Sequence, residues 1–174
     1  DIPPVTEKKY DVIYHGGIHG DMYQRMLQVI HQFNYRYVSQ THGINDMTRY
    51  YLPFATNTDL SNKEKLQLIS ECKISICFNT FNVRNENDSA NIQSTPNWQK
   101  NKAFNHINDL FIVPQFKSRF NEAAFCRTLN LVKRDPWNIV ERYYEPDEFI
   151  YFDSLEELPD KIHHILINWE TYTG

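Results

Sequence analysis

Short apolar runs alternate with amphipathic segments along the whole chain, and this alternation restricts the fold more than any other feature. The runs have the length and the aliphatic and aromatic content of buried strands, and the segments between them have helical spacing. Strands that alternate with helices form parallel sheets that are covered on both faces. The sequence therefore predicts an α/β fold, a single Rossmann-like domain with a parallel β-sheet and helices on both faces.

Turn and capping signals place the individual elements. Strands are predicted over residues 10–15, 35–39, 73–78, 110–113, 129–133 and 149–152. Helices are predicted over residues 21–33, 61–71, 116–126 and 135–144, and a closing helix follows residue 154. Ser61 and Ser154 each precede a Glu by three residues, which is the pattern of a capping box, and Asp135-Pro136 is a typical helix start. Residues 47–60 show no clear period and are predicted to be irregular, with room for a short strand or helix.

Length and composition limit the domain organisation. The 174 residues fit one domain spanning 1–174, with 41% hydrophobic residues for its core. The polar residues 1–9 read as a linker or arm. Residues 82–105 are rich in Asn, Ser and charge and are too long for an ordinary connection, so they read as an inserted loop, either near a ligand or as plain surface.

Charge, cysteines and hydropathy exclude several classes of protein. A net charge of −4 offers no basic surface for nucleic acid, so any bound anion is expected to be small. The three cysteines lie in apolar runs without metal or redox spacing, which indicates buried, reduced thiols. No apolar run is long enough for a transmembrane segment and no signal peptide opens the chain, so a cytoplasmic location is expected. His15 and His19 are four positions apart, as in a helical metal-binding pair, but the two glycines between them disfavour a helix. No metal site is therefore predicted.

Two cations stand where a helix ordinarily avoids them. Lys117 and Arg119 fall in the first turn of the predicted helix 116–126, whose amide dipoles already make that end positive. An anion among them would remove this conflict, so the pattern predicts a phosphate site. Glu122 lies on the same helical face as Arg119. With Arg119 occupied by the phosphate, Glu122 could accept hydrogen bonds from two hydroxyl groups. The plain alternative is an Arg119–Glu122 ion pair on a solvated helix.

A glycine turn follows the first predicted strand. Gly16 and Gly17 would let backbone amides approach a phosphate, as in the first turn of a Rossmann-like sheet. The glycines are not in the order G-x-G-x-x-G, so a tight turn without a ligand is the alternative.

Three segments carry a resemblance to a known family. They are Lys-Ser-Arg-Phe-Asn-Glu-Ala-Ala (117–124), Leu-Val-Lys-Arg-Asp-Pro-Trp-Asn-Ile-Val-Glu (131–141) and Tyr-Glu-Pro-Asp-Glu-Phe-Ile-Tyr-Phe-Asp-Ser-Leu-Glu-Glu-Leu (144–158). Together they resemble the carboxyl-terminal, donor-binding domain of GT-B glycosyltransferases, in the glycosyl transferases group 1 branch that includes spore-maturation-type proteins. The likeness is good over residues 113–166 and loose over the first half. It implies one half of a GT-B fold.

The resemblance implies a function and roles for particular residues. The chain would bind a nucleotide diphosphate sugar, UDP- or GDP-linked, for glycosyl transfer to an acceptor hydroxyl. Lys117 and Arg119 match the basic pair that holds the diphosphate and assists catalysis. Glu122 matches the ribose-binding glutamate, and Gly16 and Gly17 match the turn against the diphosphate and sugar. GT-B enzymes generally use no bound metal, so no cofactor is expected, and their acceptor site lies on an amino-terminal domain that this chain is too short to contain.

Two alternatives to a donor-binding domain stay open at this point. Related classes carry an acidic residue eight positions before the glutamate, where this chain has Pro114. That departure is compatible with a catalytically inactive Rossmann-like module for protein interaction or nucleotide binding. A different nucleotide-binding enzyme or a flavodoxin-like regulator would hold its ligand at another strand end, such as after Phe78.

Overall fold

The computed structural model of the chain describes residues 7–83, 106–107 and 110–173. The described strands are β1 (Tyr10–His15), β2 (Tyr35–Ser39), β3 (Asn57–Thr58), β4 (Cys72–Cys77), β5 (Thr80–Val83), β6 (His106–Ile107), β7 (Leu110–Pro114), β8 (Leu129–Lys133) and β9 (Ile150–Phe152). The described α-helices are α1 (Asp21–Ile30), α2 (Asp46–Tyr51), α3 (Asn62–Ser70), α4 (Ser118–Phe125) and α5 (Leu158–Ile167). Short 3-10 helices cover Leu52–Phe54, Val140–Arg142, Pro146–Glu148 and Trp169–Tyr172.

A six-stranded sheet in the order β3-β2-β1-β4-β8-β9 forms the centre of the molecule. All neighbouring strands in it are parallel. The chain builds outward from β1 to β3, returns to pair β4 with the other side of β1, and continues to β9. The strand order therefore reverses between β1 and β4, which is where open α/β sheets form a ligand crevice at the carboxyl ends of the strands. The predicted α/β, Rossmann-like fold is confirmed.

Helices pack on both faces of this sheet. Because successive strand residues point to opposite faces, β1 divides its side chains between two apolar clusters. Val12 and Tyr14 belong to the cluster that contains buried residues of α1 and α5. Ile13 belongs to the cluster that contains buried residues of α3 and α4. The three cysteines are buried and free, as predicted.

A second, antiparallel sheet follows β4. It has three strands in the order β5-β7-β6 and lies between β4 and α4 in the chain. The predicted strand 110–113 forms within β7, outside the parallel sheet. Of the inserted loop predicted over residues 82–105, residues 82–83 belong to β5 and residues 84–105 lie outside the described residues.

The edge of the parallel sheet forms from residues that show no clear period. Within 47–60 lie most of α2, a 3-10 turn and β3, which pairs with the end of β2. Asn45 caps α2, because its side-chain oxygen accepts from Thr48 N at 2.7 Å. These elements are too short to establish a detectable period.

The prediction of a helix over residues 135–144 is wrong. The Asp135 carboxylate does accept from the backbone nitrogens of Trp137 at 2.9 Å and Ile139 at 3.3 Å, as an N-cap would. Asn138, however, has a left-handed φ of 49°, which breaks the helical path. Only the 3-10 turn Val140–Arg142 forms in this stretch.

The predicted arm at residues 1–9 is described only from residue 7 onward. Lys9 donates its backbone N–H to Glu71 O at 2.7 Å, and Lys8 Nζ donates to Arg127 O at 2.8 Å. The described end of the arm is thus hydrogen-bonded to the domain.

Candidate functional site

The glycine turn after β1 lies at the point where the strand order reverses. Gly16 has a φ of 136°, which favours glycine, and donates its N–H to Val38 O at 3.1 Å. The Tyr14 hydroxyl donates to Gly17 O at 2.7 Å and holds the turn. A Cβ at Gly16 would overlap the guanidinium of Arg119 and lie 2.7 Å from its Cζ. Glycine is therefore needed so that Arg119 can lie directly against the backbone.

Arg119 is the second residue of α4, and its guanidinium turns inward. Its Cζ lies 5.0 Å from the centroid of the Tyr14 ring. Its Nη1 is buried and has no hydrogen-bond partner among the residues that the structure describes. A buried, unsatisfied charged donor is costly. Within the described ranges no side chain caps the start of α4, so amides of its first turn are available at the same end. These groups together present unsatisfied donors and positive charge to one place.

Lys117 occupies the N-cap position of α4. Its Nζ donates to the side-chain oxygen of Gln115. Burial, followed by the nearby positive charge of Arg119, lowers the pKa of Lys117 to about 7. The two predicted cations are therefore close enough to affect each other, although Lys117 is outside the lining of the cleft described below.

Glu122 pairs with a residue that sequence reasoning missed. Its Oε1 lies 2.9 Å from Lys65 Nζ on α3, and its Oε2 lies 3.4 Å from His15 Nδ1 at the end of β1. Within the described residues the alternative ion pair between Glu122 and Arg119 is not formed. The carboxylate is thus fixed by β1 and α3, and Nη1 of Arg119 is left for a partner outside the described residues.

Two histidines stand next to these cations. His15 is 5% exposed, and burial, followed by Arg119 and Lys65, holds its pKa well below the usual value. Burial, followed by Lys117 and Arg119, lowers the pKa of His19 to about 4. Both rings are therefore neutral at pH 7. From the sequence, the two histidines were considered only as a metal pair and were not predicted as site residues; their positions at the end of a central strand and in the turn after it were the available signal.

The partners of the two rings show how each is held. Asn45 Nδ2 lies 3.1 Å from His19 Nδ1, so the Asn45 amide donates and His19 Nδ1 accepts. His15 Nε2 is buried, and none of the described residues hydrogen-bonds to it. Within the residues that the structure describes, no group of three His, Cys, Asp or Glu side chains is placed to hold a metal ion.

A cleft of about 270 Å³ opens at the carboxyl ends of β1 and β2. Charged residues are part of its lining, namely Lys65, Arg119 and Glu122. Apolar residues are also part of its lining, namely Val38, Ile44 and Leu60. The predicted residues Gly16 and Gly17 also border it. Structure thus brings four of the five predicted site residues to one cleft.

Asn79 is a second unsatisfied group at the strand ends. It follows β4 by two residues and is 1% exposed. Neither its side-chain oxygen nor its side-chain nitrogen has a hydrogen-bond partner in residues 7–83, 106–107 and 110–173. Its backbone oxygen accepts from Gln115 N at 2.7 Å, next to the entry of α4. An amide buried in this way is unfavourable without a partner. The sequence signal for Asn79 was its position directly after the predicted strand 73–78, at the carboxyl end of that strand.

Comparison with protein families and with curated proteins gives no match. No family model matches the chain, and no curated protein is similar enough to be matched to it. Among the described residues, no helix has the length and apolar character that crossing a membrane requires. The chemistry of the cleft is therefore argued from its own residues.

Proposed function

We propose that this chain binds the nucleoside diphosphate part of a nucleotide sugar and is the donor-binding domain of a glycosyltransferase. The observation that carries the proposal is Arg119, whose buried Nη1 lies beside Gly16 and the start of α4 and has no partner in the described part of the chain. A phosphate oxygen at this point would accept from Nη1 and from the free helix amides. Binding would thereby satisfy a donor that is otherwise buried at a cost.

The remaining lining of the cleft favours a nucleotide over a simple anion. Glu122 provides carboxylate oxygens that can accept ribose hydroxyls. The apolar side chains of Val38, Ile44 and Leu60 provide a surface for the flat face of a base. Inorganic phosphate would use neither feature.

The same groups suit glycosyl transfer. In the reaction the bond between the anomeric carbon and a diphosphate oxygen breaks, and the acceptor oxygen bonds to that carbon while its proton passes to a base. Negative charge grows on the departing diphosphate. Arg119, together with Lys117 when it is protonated, stabilises that charge more strongly in the transition state than in the ground state. The acceptor and the base belong, in this proposal, to a further domain.

A thermal-shift experiment tests the proposal. UDP-glucose, GDP-mannose, UDP and GDP at millimolar concentration are each added to the wild-type chain. At least one of them is expected to raise the melting temperature, because a ligand that binds the folded state stabilises it by about 2.7 kcal/mol at 100 times its Kd. Arg119→Met is expected to abolish the shift.

The matched control is Arg25→Met, which removes an exposed arginine of α1 that pairs with Glu156. This variant should keep the full nucleotide shift. A wild-type protein that no nucleotide stabilises, or an Arg119→Met variant that is stabilised like wild type, would contradict the proposal. The first result would favour the interaction-module alternative.

A further inference from the structure

Lys65 reaches from α3 to α4 and holds Glu122. Its Nζ donates to Oε1 at 2.9 Å, and both side chains are only 24% exposed. An ion pair on an open surface contributes little, because water screens it and two long side chains lose freedom. This pair is largely shielded by the walls of the cleft, so it is suited to fixing the direction of the carboxylate.

The other oxygen of Glu122 faces a second group. His15 Nδ1 lies 3.4 Å from Oε2, and the buried ring is neutral at pH 7. In the tautomer that carries its proton on Nδ1, the ring directs an N–H at the carboxylate. The two oxygens are thereby approached from β1 and from α3. Each carboxylate oxygen has two lone pairs, so each keeps one for a ligand in the cleft.

We propose that Lys65 is a positioning residue that orients the Glu122 carboxylate so that it accepts both hydroxyls of a ribose 2′,3′-diol. This inference rests on the proposed function, since it requires a ribonucleotide in the cleft. A freely rotating carboxylate loses conformational entropy when it accepts two hydrogen bonds, and that loss weakens binding. A carboxylate whose plane is already held avoids most of this cost. Without Lys65, the Glu122 carboxylate is expected to lose its orientation.

The affinities of UDP and 2′-deoxy-UDP, and of GDP and 2′-deoxy-GDP, are measured by isothermal titration calorimetry. Wild-type protein is expected to prefer the ribonucleotide by about tenfold, because a hydrogen bond to a charged acceptor is among the stronger ones. Lys65→Met is expected to lose most of that preference while its affinity for the deoxynucleotide changes little. Lys63→Met removes an exposed lysine of the same helix and should behave like wild type.

Further variants separate positioning from simple charge. Lys65→Arg keeps a donor toward the carboxylate, so it should retain the preference for the ribonucleotide. Glu122→Ala should abolish the preference, and adding Lys65→Met to it should change nothing more, because the two residues act through one contact. Circular dichroism checks that each variant is folded, and Lys65→Gln replaces Lys65→Met if that variant is not.

Each outcome decides one of the two proposals. If Lys65→Met weakens both nucleotides equally, Lys65 acts as a charge on the phosphates and the positioning role is overturned while the proposed function stands. If Lys65→Met retains the wild-type preference, the positioning role is likewise overturned. If wild-type protein binds none of the four nucleotides, the proposed function fails and the positioning role fails with it.

Discussion

Gly16 leaves no room for a side chain between the end of β1 and Arg119. It combines a φ of 136° with an added Cβ that would lie 2.7 Å from Arg119 Cζ. Backbone strain and steric overlap are therefore both present at one residue. Gly43 offers the comparison, because its φ of 66° is also positive but nothing lies within 4 Å of an added Cβ.

Gly16→Ala is expected to destabilise the protein and to abolish nucleotide binding, because the guanidinium must move. Gly43→Ala is expected to cost only the backbone term, about 1 kcal/mol, and to bind normally. Urea unfolding and calorimetric titration with UDP and GDP measure the two effects. Normal nucleotide affinity in a folded Gly16→Ala variant would show that the position of Arg119 is not required.

Lys117 is expected to make the affinity for a nucleoside diphosphate depend on pH. Because burial and Arg119 lower its pKa to about 7, it is mostly protonated below pH 7 and mostly neutral above. A bound diphosphate favours the charged form, so binding above pH 7 must take up a proton. Affinity for UDP or GDP is therefore expected to fall between pH 7 and pH 9, by at most about tenfold per pH unit.

Titrations at pH 8 in two buffers of different ionisation enthalpy detect this proton uptake directly. Lys117→Met should flatten the pH profile and remove the difference between buffers, whereas Lys63→Met should leave both as in wild type. A wild-type affinity that is constant from pH 7 to pH 9 would mean that Lys117 does not respond to the ligand.

At the scale of elements, a predicted capping box marks the start of a helix at Ser61 but not at Ser154. The Ser61–Glu64 box forms, with Glu64 N donating to Ser61 Oγ at 3.3 Å and Ser61 N donating to Glu64 Oε2 at 2.9 Å. At Ser154 the same hydrogen bonds form with Glu157, but residues 155–157 make a turn and α5 begins at Leu158.

Ser61→Ala is expected to destabilise the protein by about 1 kcal/mol, the usual cost of losing a helix N-cap. Because the box fixes the first turn of α3, which carries Lys65, the ribonucleotide preference should fall as well. Chemical denaturation measures the first effect and titration with UDP and 2′-deoxy-UDP the second. Lys63→Ala, at an exposed site in the same turn, should change neither. Unchanged stability in Ser61→Ala would show that the cap does not support the helix.

At the scale of the whole molecule, the site is assembled by the strand order. Lys65 and Glu122 are separated by 57 positions in the chain and meet because β4 returns beside β1. The same order brings the Gly16 turn against α4. An alternation of strands and helices predicts a parallel sheet, but many strand orders satisfy it. The antiparallel sheet β5-β7-β6 was not predicted, because its strands have no pattern that separates them from the parallel ones.

The sequence alone determined the features that depend on neighbours along the chain. The α/β class, the Ser61 cap, the glycine turn and the two cations at the start of a helix all arise from local spacing and backbone chemistry. Burial of the three cysteines also follows from the apolar runs that contain them.

Only the tertiary structure decided which charges meet. The sequence offered Arg119, three residues away, as one alternative partner of Glu122, whereas the structure pairs Glu122 with Lys65. Among the described residues Arg119 is left with a buried, unpartnered Nη1, and the proposed phosphate site rests on that result. Such partners depend on the packing of α3 and β1 against α4, and the free energy of a buried charge depends on everything around it rather than on its neighbours in the chain.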